Sequence, residues 1–452
     1  MLHRRAVDAV VWGMPAVNYA LMLRELEKLG GTYNQIVHWS KLLDWQNQTL
    51  TPNPDVIYIM PFFNTKEVGP IVLEVPPADH GVFNGSIMNY WQAAIEDIGP
   101  GGLDKGEGGK YLILPPTYPA DRVPEGYFPM KSDTFQGYAL IRSVLRSGSD
   151  EDVAEAIAYS TRLRLYPLSE AANPPKTTYV DAAGKLFDST ITYDFEFFML
   201  LDRMVQIEPW LERDRAMIDP LKTIGIERGK SFAPEAMTRA VLESAAAEAH
   251  AWIETLYGIL PPFYPGKHWF FPTSEEMHQS INNDFRVADS YPIENRASTY
   301  SLAFFSAKHL GASQYYLMLG FDRGGEPLDG GATYHLHVPA EAPVTQYWSI
   351  TVYDRETHAF IREAPWVGRS SQTRGLHWND DGSVDLYFGA RAPAGKEANW
   401  VPTHPERGFE LLARFYGPTK ALFEKQWQLG DVEKVSDQSP TIDFTSMKSR
   451  RP

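Results

Sequence analysis

Five short runs decide the reading of the first third of the chain: VIYIMPFF (56–63), GPIVLEVP (69–76), GVFNGSIMNYWQAAI (81–95), GKYLILPP (109–116) and YALIRSVL (138–145). Each is rich in β-branched and aromatic residues and is cut off by Pro or Gly, which predicts a mainly antiparallel sheet structure over residues 50–145. From Asp150 the texture turns helical, in DEDVAEAIAYSTRLRLYPL (150–168), ITYDFEFFMLLDRMVQIEPWLE (191–212) and PEAMTRAVLESAAAEAHAWIETLYG (234–258), each bounded by Pro or Gly. One more helix is expected at RASTYSLAFFSAKHLG (296–311). Strands then return in QYYLMLGFD (314–322), ATYHLHVP (332–339), QYWSITVYD (346–354), SVDLYFGA (383–390) and FELLARFYGP (409–418). Turn signals such as Asn379-Asp380-Asp381-Gly382 between them indicate a β-sandwich.

The expected architecture is therefore α+β and multidomain, with two β-sandwich-like units and a helical unit between them. Residues 1–149 hold an N-terminal helix and the first β unit, 150–272 the helical unit, 273–430 a jelly-roll-like sandwich, and 431–452 a polar tail. Strands and helices do not alternate along the chain, which argues against a Rossmann or barrel enzyme.

At 452 residues, with 43% hydrophobic and 22% charged residues, the chain can bury a real core, and its length suggests about three structural units. A net charge of −15 repels phosphate backbones and anionic lipid heads, so nucleic acid and membrane surfaces are not expected as partners. With no Cys there are no disulfides, thiolate nucleophiles or Cys-based metal sites. AVDAVVWGMPAVNYALML (6–23), after Arg4 and Arg5, has the outline of a signal peptide. Asp8, Pro15 and the absence of a small-residue cleavage site favour an amphipathic helix instead. No membrane insertion is expected. The compartment stays open: cytoplasmic as the sequence stands, periplasmic if a signal was removed before Met1.

The segments TPNPDVIYIMPFFNTKEVGPIVLEVPP (51–77) and GKYLILPP, followed by QYWSITVYD, DDGSVDLYFG (380–389) and ANWVPTHPERGFELLARFYGP (398–418), carry a resemblance that spans nearly the whole chain. In order and content they resemble the bacterial proteins built from domain of unknown function 1254 on the N-terminal side and domain of unknown function 1214 on the C-terminal side. The resemblance implies two β-sandwich-like subdomains with a helical part between them, and it implies no reaction. Export signals are common in that family, which hints at the periplasm. Two departures stand out: His335 and His337 occupy strand positions that are apolar or variable in the family, and this sequence begins directly at the helix.

Three constellations could carry chemistry. In TPNPDVIY, Asn53 and Asp55 beside Pro can build a turn, while the sharper reading makes Asp55 a general base with Tyr58 as donor on the adjoining strand. Asn89, Tyr90 and Trp91, next to Gln92, combine flat apolar walls with orienting amides, as ligand pockets do, although core packing explains such clusters as well. His335 and His337 alternate on a strand and point to one face, where Glu341 would be a third metal ligand. GGATYHLHVPAE (330–341) resembles in part the first motif of cupins, but only His377 and His404 are near enough to stand in for the second. With no full ligand set assignable, no stoichiometric metal is expected. No nucleophile elbow, phosphate loop or dinucleotide fingerprint occurs, so no cofactor is expected either. Asp194 and Glu196 are read as capping and surface residues.

The leading functional expectation is an enzyme, hydrolase or lyase in type, acting on a small, largely apolar or aromatic molecule in a cleft between the β and helical units. The alternative is a non-catalytic small-molecule or carbohydrate-binding protein of the periplasm, and a homo-oligomer is compatible with either. The pocket is expected to gather Asn53, Asp55, Tyr58, Tyr90 and Trp91.

Overall fold

The computed structural model describes residues 1–302, 307–309 and 313–435. The N-terminal unit is a sandwich of two sheets. Its larger sheet contains β1 (Gln35–His38), β2 (Val56–Asn64), β4 (Phe83–Asn89), β5 (Ala94–Ile98), β8 (Gln136–Val144) and β10 (Tyr179–Asp181), ordered β10-β1-β2-β8-β4-β5. The smaller contains β3 (Ile71–Val75), β6 (Gly109–Leu114), β7 (Phe128–Lys131) and β9 (Arg164–Pro167), ordered β9-β3-β6-β7. Ile59, Phe63, Ile87 and Ile141 from the first meet Ile71, Leu73, Tyr111 and Ile113 from the second in a closed apolar core. Residues 164–188 differ from the helical reading of 150–272. They supply β9 and β10 to these two sheets, and Phe187 and Asp188 pair with Asn47 and Gln48. A short apolar stretch flanked by Pro takes its structure from an available sheet edge, whatever the local helical texture.

The C-terminal unit is a second sandwich. One sheet is β11 (Gln314–Leu319), β17 (Phe409–Pro418), β13 (Val344–Asp354) and β14 (Gly368–Ser370) in that order, and the other is β16 (Trp400–Pro402), β15 (Val384–Gly389), β12 (Tyr334–Val338) and β18 (Glu433–Lys434). Leu317, Trp348, Ile350, Leu411 and Phe415 close against Leu336, Val384, Leu386 and Phe388. β18 brings residues 433 and 434, read as part of a polar tail, into pairing with Tyr334 and His335; the tail from residue 436 onward lies outside the described residues.

Helix α1 (Leu2–Lys28) lies on the larger sheet of the first sandwich, where Tyr19 meets Phe62 and Tyr138, and against α3 (Phe195–Ile207), α4 (Ala236–Tyr257) and α5 (Ile293–Leu302); α2 (Asp150–Ser160) lies beside the first sandwich. The expectation of an amphipathic N-terminal helix is corrected here: from Ala9 to Leu23 every residue is buried, as befits a helix apolar all round. By length and composition α1 could cross a membrane, yet 89% of its most apolar window is buried within the fold. A side chain at Gly13 would place its Cβ 2.7 Å from Leu201 Cδ1, so this glycine is what lets α1 and α3 approach. The helix ends where Gly30 takes φ 82° and Gly31 N–H returns to Leu26 O. The helix expected over 296–311 is present as α5 up to Leu302; residues 303–306 and 310–312 lie outside the described residues.

Candidate functional site

Strand alternation explains how polar groups come to lie at the joint between the sandwiches. On β13 Trp348, Ile350 and Val352 enter the sandwich core, so Tyr347, Ser349, Thr351 and Tyr353 face the other way. On β17 the same rule turns Glu410, Arg414 and Tyr416 outward, with Tyr316 of β11 opposite Arg414. This second face is not solvated. It packs on the N-terminal unit, and Tyr347, Tyr353, Arg414, Tyr416 and Glu410 are all buried.

The TPNPDVIY segment meets this face. Asn53 Oδ1 accepts from Asp55 N–H at 3.0 Å, forming the local turn, while its Nδ2 donates to Tyr347 Oη at 3.0 Å and Tyr416 Oη at 2.9 Å. Those two phenol rings stack with centroids 4.4 Å apart. Tyr58 stands opposite Arg142 in the β2–β8 register, and its hydroxyl oxygen accepts from Asn53 N–H at 3.0 Å and Arg142 Nε at 3.2 Å. With two donors on the oxygen, the Tyr58 proton points elsewhere. A cavity of about 20 Å³ opens here, lined by Met22, Trp39, residues 49–52, Tyr58, Leu140 and Arg142.

Asp55 is half-buried on the same turn. Burial pushes its carboxyl up to about 6, against the opposing pull of Arg414, Ser370 and Ser349. Arg414 itself is held by Thr351 Oγ1 at 2.8 Å, Thr51 O at 2.7 Å and Tyr353 Oη at 2.5 Å.

A second polar cluster braces the neighbouring edge. His358 Nδ1 meets Glu410 Oε1 at 2.8 Å and its Nε2 meets Glu254 of α4 at 3.3 Å, while Arg355 pairs with Glu254 at 2.7 Å. The Tyr257 hydroxyl donates to Glu410. Burial alone would lower the His358 pKa, but the two carboxylates outweigh it and carry it up to about 9. Burial likewise opposes the bonds from His250 and His358 and the charge of Arg355, which still hold Glu254 well below the usual carboxylate range. The His358 carbonyl accepts from Thr51 N–H at 2.7 Å, tying this cluster to the cavity-lining segment.

Of the residues expected to share one pocket, Asn53, Asp55 and Tyr58 come together, and Tyr90, Trp91 and Asn89 do not join them. Tyr90 packs on Tyr19 of α1 with centroids 4.4 Å apart. Trp91 packs on Trp12 at 4.8 Å, under the Arg296 guanidinium at 5.0 Å. Asn89 Oδ1 accepts from Ala93 N–H at 3.0 Å and holds the turn after β4. Core packing won there because α1 lays its own aromatic rings along that end of the sheet. His335 and His337 do share a face, and both rings contact Asp385 Oδ1 at 2.9 Å. Burial works against those bonds and the one from Asn379, which nonetheless hold Asp385 down to about 2. Glu341 sits apart on an exposed turn with φ 56°, so the three do not form one ligand set. Among the described residues no group of three or more His, Asp or Glu is arranged to hold a metal. Asp194 caps α3 by accepting from Glu196 N–H at 2.8 Å, and Glu196 pairs with Arg24 at 2.5 Å.

Sequence reasoning missed Arg142, Arg414, Tyr347, Tyr416 and His358. The signal for four of them was present: two arginines and two tyrosines at alternate positions of strands whose other face is mainly apolar.

Comparison with known proteins places this geometry in a family. The profile described as "Protein of unknown function (DUF1254)" matches residues 33–167, and that described as "Protein of unknown function (DUF1214)" matches residues 313–420. The crystal structure of the VPA0106 protein from Vibrio parahaemolyticus is 18% identical, with a TM-score of 0.59 over 96% of this chain and 100% of that one, a likeness of fold. An uncharacterised protein from Burkholderia cenocepacia aligns over 96% of this chain and 94% of its own at 10% identity and a TM-score of 0.43. No curated protein matches the sequence.

Proposed function

We propose that this chain, which belongs to the family joining a DUF1254 domain to a DUF1214 domain, acts on a small, largely apolar molecule at the junction of the first sandwich, α1 and the 47–54 segment. The observation that carries this reading is the Tyr58 hydroxyl. It lines the cavity, receives hydrogen bonds from Asn53 N–H and Arg142 Nε, and so presents its proton as a donor. Asp55, on the same turn but outside the cavity lining and facing Arg414, is raised to about 6, where a carboxylate serves as a general base near neutral pH once the turn is displaced. A donor and a base flanking one turn suit hydrolase or lyase chemistry.

The cavity of about 20 Å³ has room for about one water, so a ligand enters by displacing the lining segment. Thr51 there holds φ 37°, a costly conformation for a β-branched residue, maintained by His358 O and Arg414. The small closed volume also favours a second reading, a carrier that binds without chemistry.

The test is turnover of a panel of small aromatic esters by the wild type, Asp55→Asn and Tyr58→Phe, with melting curves in parallel. Catalysis predicts turnover that both variants lose while remaining folded. A ligand-dependent melting shift without turnover, diminished in Tyr58→Phe, identifies a carrier. Turnover or binding untouched by both substitutions would move the site elsewhere.

A further inference from the structure

The charge at this cavity narrows what it takes, and the argument rests on the small-molecule reading above. Arg142 is 7% exposed, on the central strand β8, and lines the cavity. Its Nε donates to Tyr58 Oη, and its guanidinium stands 5.3 Å from the Tyr58 ring centroid. Its two terminal nitrogens hydrogen-bond to no described residue and keep slight contact with solvent, and Arg142 has no ion pair with any described carboxylate.

The acids that could have neutralised it are committed elsewhere. Asp97, two strands away in the same sheet, accepts from Ser86 Oγ at 2.6 Å, Lys308 N–H at 2.9 Å and His309 N–H at 2.7 Å. Asp55 is turned to Arg414, Ser349 and Ser370. Around Arg142 are phenols instead: Tyr58, Tyr316 and Tyr416. Tyr316 Oη, on the facing sandwich, is itself buried without a hydrogen-bond partner among the described residues. A buried cation is normally paired, and a buried hydroxyl normally bonded. Here a guanidinium edge is left over at the cavity.

We infer that Arg142 is the anchor for a single carboxylate group on the ligand, received by its free guanidinium edge with the Tyr58 hydroxyl as an additional donor. A guanidinium pairs with a carboxylate through two parallel N–H···O bonds, and phenols add donors without adding charge. One cation matches one negative charge. A phosphate or sulfate dianion is larger and would leave charge uncompensated against Arg142, the one guanidinium among the described cavity-lining residues, since Arg414 is spent on the backbone carbonyls behind it.

The test uses matched probes at constant ionic strength on the full chain: acetate and benzoate against acetamide and benzamide, with sulfate as a further arm. Melting temperature and calorimetric titration are the readouts. For the wild type, acetate or benzoate should raise the melting temperature while both amides and sulfate leave it unchanged. Arg142→Met should lose roughly ten- to hundredfold in carboxylate affinity, and Arg142→Lys, which keeps the charge without the fork, should fall between. Arg142→Met should also melt no lower than the wild type without ligand, because it removes a largely buried charge that has no ion-pair partner among the described residues. A purely structural arginine would give the opposite, a lower melting temperature in Arg142→Met. Amides that bind as well as carboxylates, sulfate that binds better, or a carboxylate response that survives Arg142→Met would each overturn the assignment and leave the small-molecule reading standing. No response of the wild type to any probe would remove both.

Discussion

Two buried arginines face the same joint from opposite sides, and their surroundings differ. Arg414, on β17, spends its guanidinium on Thr351 Oγ1, the carbonyls of Thr51 and Pro52, and Tyr353 Oη. Arg142, on β8, reaches Tyr58 Oη alone. Both are more than nine-tenths buried. Burial therefore does not distinguish them, and satisfaction does: the first arginine is a strut between the sandwiches, and the second holds bonding capacity in reserve.

Breaking the strut should have the largest effect. Arg414→Met leaves two backbone carbonyls, a threonine hydroxyl and the Tyr353 hydroxyl without their donor, and is expected to cost about 3 to 5 kcal/mol in chemical denaturation. The same change at Arg142 should fall within about 1 kcal/mol of zero, or stabilise. Equal losses at both positions would mean that the free edge of Arg142 is occupied in solution.

Most of the fold was legible in the sequence, and the reason is periodicity. Runs such as VIYIMPFF and FELLARFYGP name strands by composition, and Pro and Gly mark their ends. What periodicity cannot tell is whether the polar half of an alternating strand meets water or another unit. Tyr347, Ser349, Thr351 and Tyr353 have the pattern of a solvated face and lie buried against Asn53, Pro52 and Asp55. Arg142 in YALIRSVL was hidden for the same reason. Of the site, the TPNPDVIY turn was visible because Asn, Pro and Asp mark turns. Its partners come from residues about 290 to 360 positions later, a distance no local pattern spans.

The next effect is set by His358. Its folded pKa of about 9 lies above the ordinary value of 6.5, so its stabilisation is fully present below about 6.5 and is lost as pH rises through about 9. The shift corresponds to about 3 kcal/mol, an upper figure because Glu254 keeps some contact with solvent. Denaturation between pH 6.5 and 9.5 should show stability falling across that window in the wild type and a flatter profile in His358→Gln. A wild type as flat as the variant would show that the His358–Glu410–Glu254 cluster does not hold α4 to the second sandwich.

Asp55 carries the opposite sign at neutral pH. Its folded pKa of about 6 exceeds the ordinary 3.8, so the native state favours the protonated form and stability declines as pH rises from about 4 to about 6. Asp55→Asn removes that ionisation and should gain at most about 3 kcal/mol at pH 7, less where the half-buried carboxyl is screened by solvent, with the gain vanishing below pH 4. In a catalytic protein the stability gain comes with loss of turnover, the usual exchange at a strained site. A loss of stability at pH 7 would show instead that Arg414 depends on the charge.

The smallest effect separates the two tyrosines that the sequence placed in one pocket. Tyr90 Oη is buried with no hydrogen-bond partner among the described residues, and burial pushes its pKa well up. Tyr58 Oη receives two hydrogen bonds at the cavity. Removing an unsatisfied buried hydroxyl relieves a desolvation cost, so Tyr90→Phe should be neutral or gain up to about 1 kcal/mol without changing any ligand response. Tyr58→Phe leaves Asn53 N–H and Arg142 Nε without their acceptor, and should lose about 1 kcal/mol together with the response to carboxylate probes. Paired melts of the two variants, with and without benzoate, decide the matter. If Tyr90→Phe were the one to abolish the benzoate response, the working end of the cavity would lie beneath α1 beside Tyr19, and Arg142 would be a bystander.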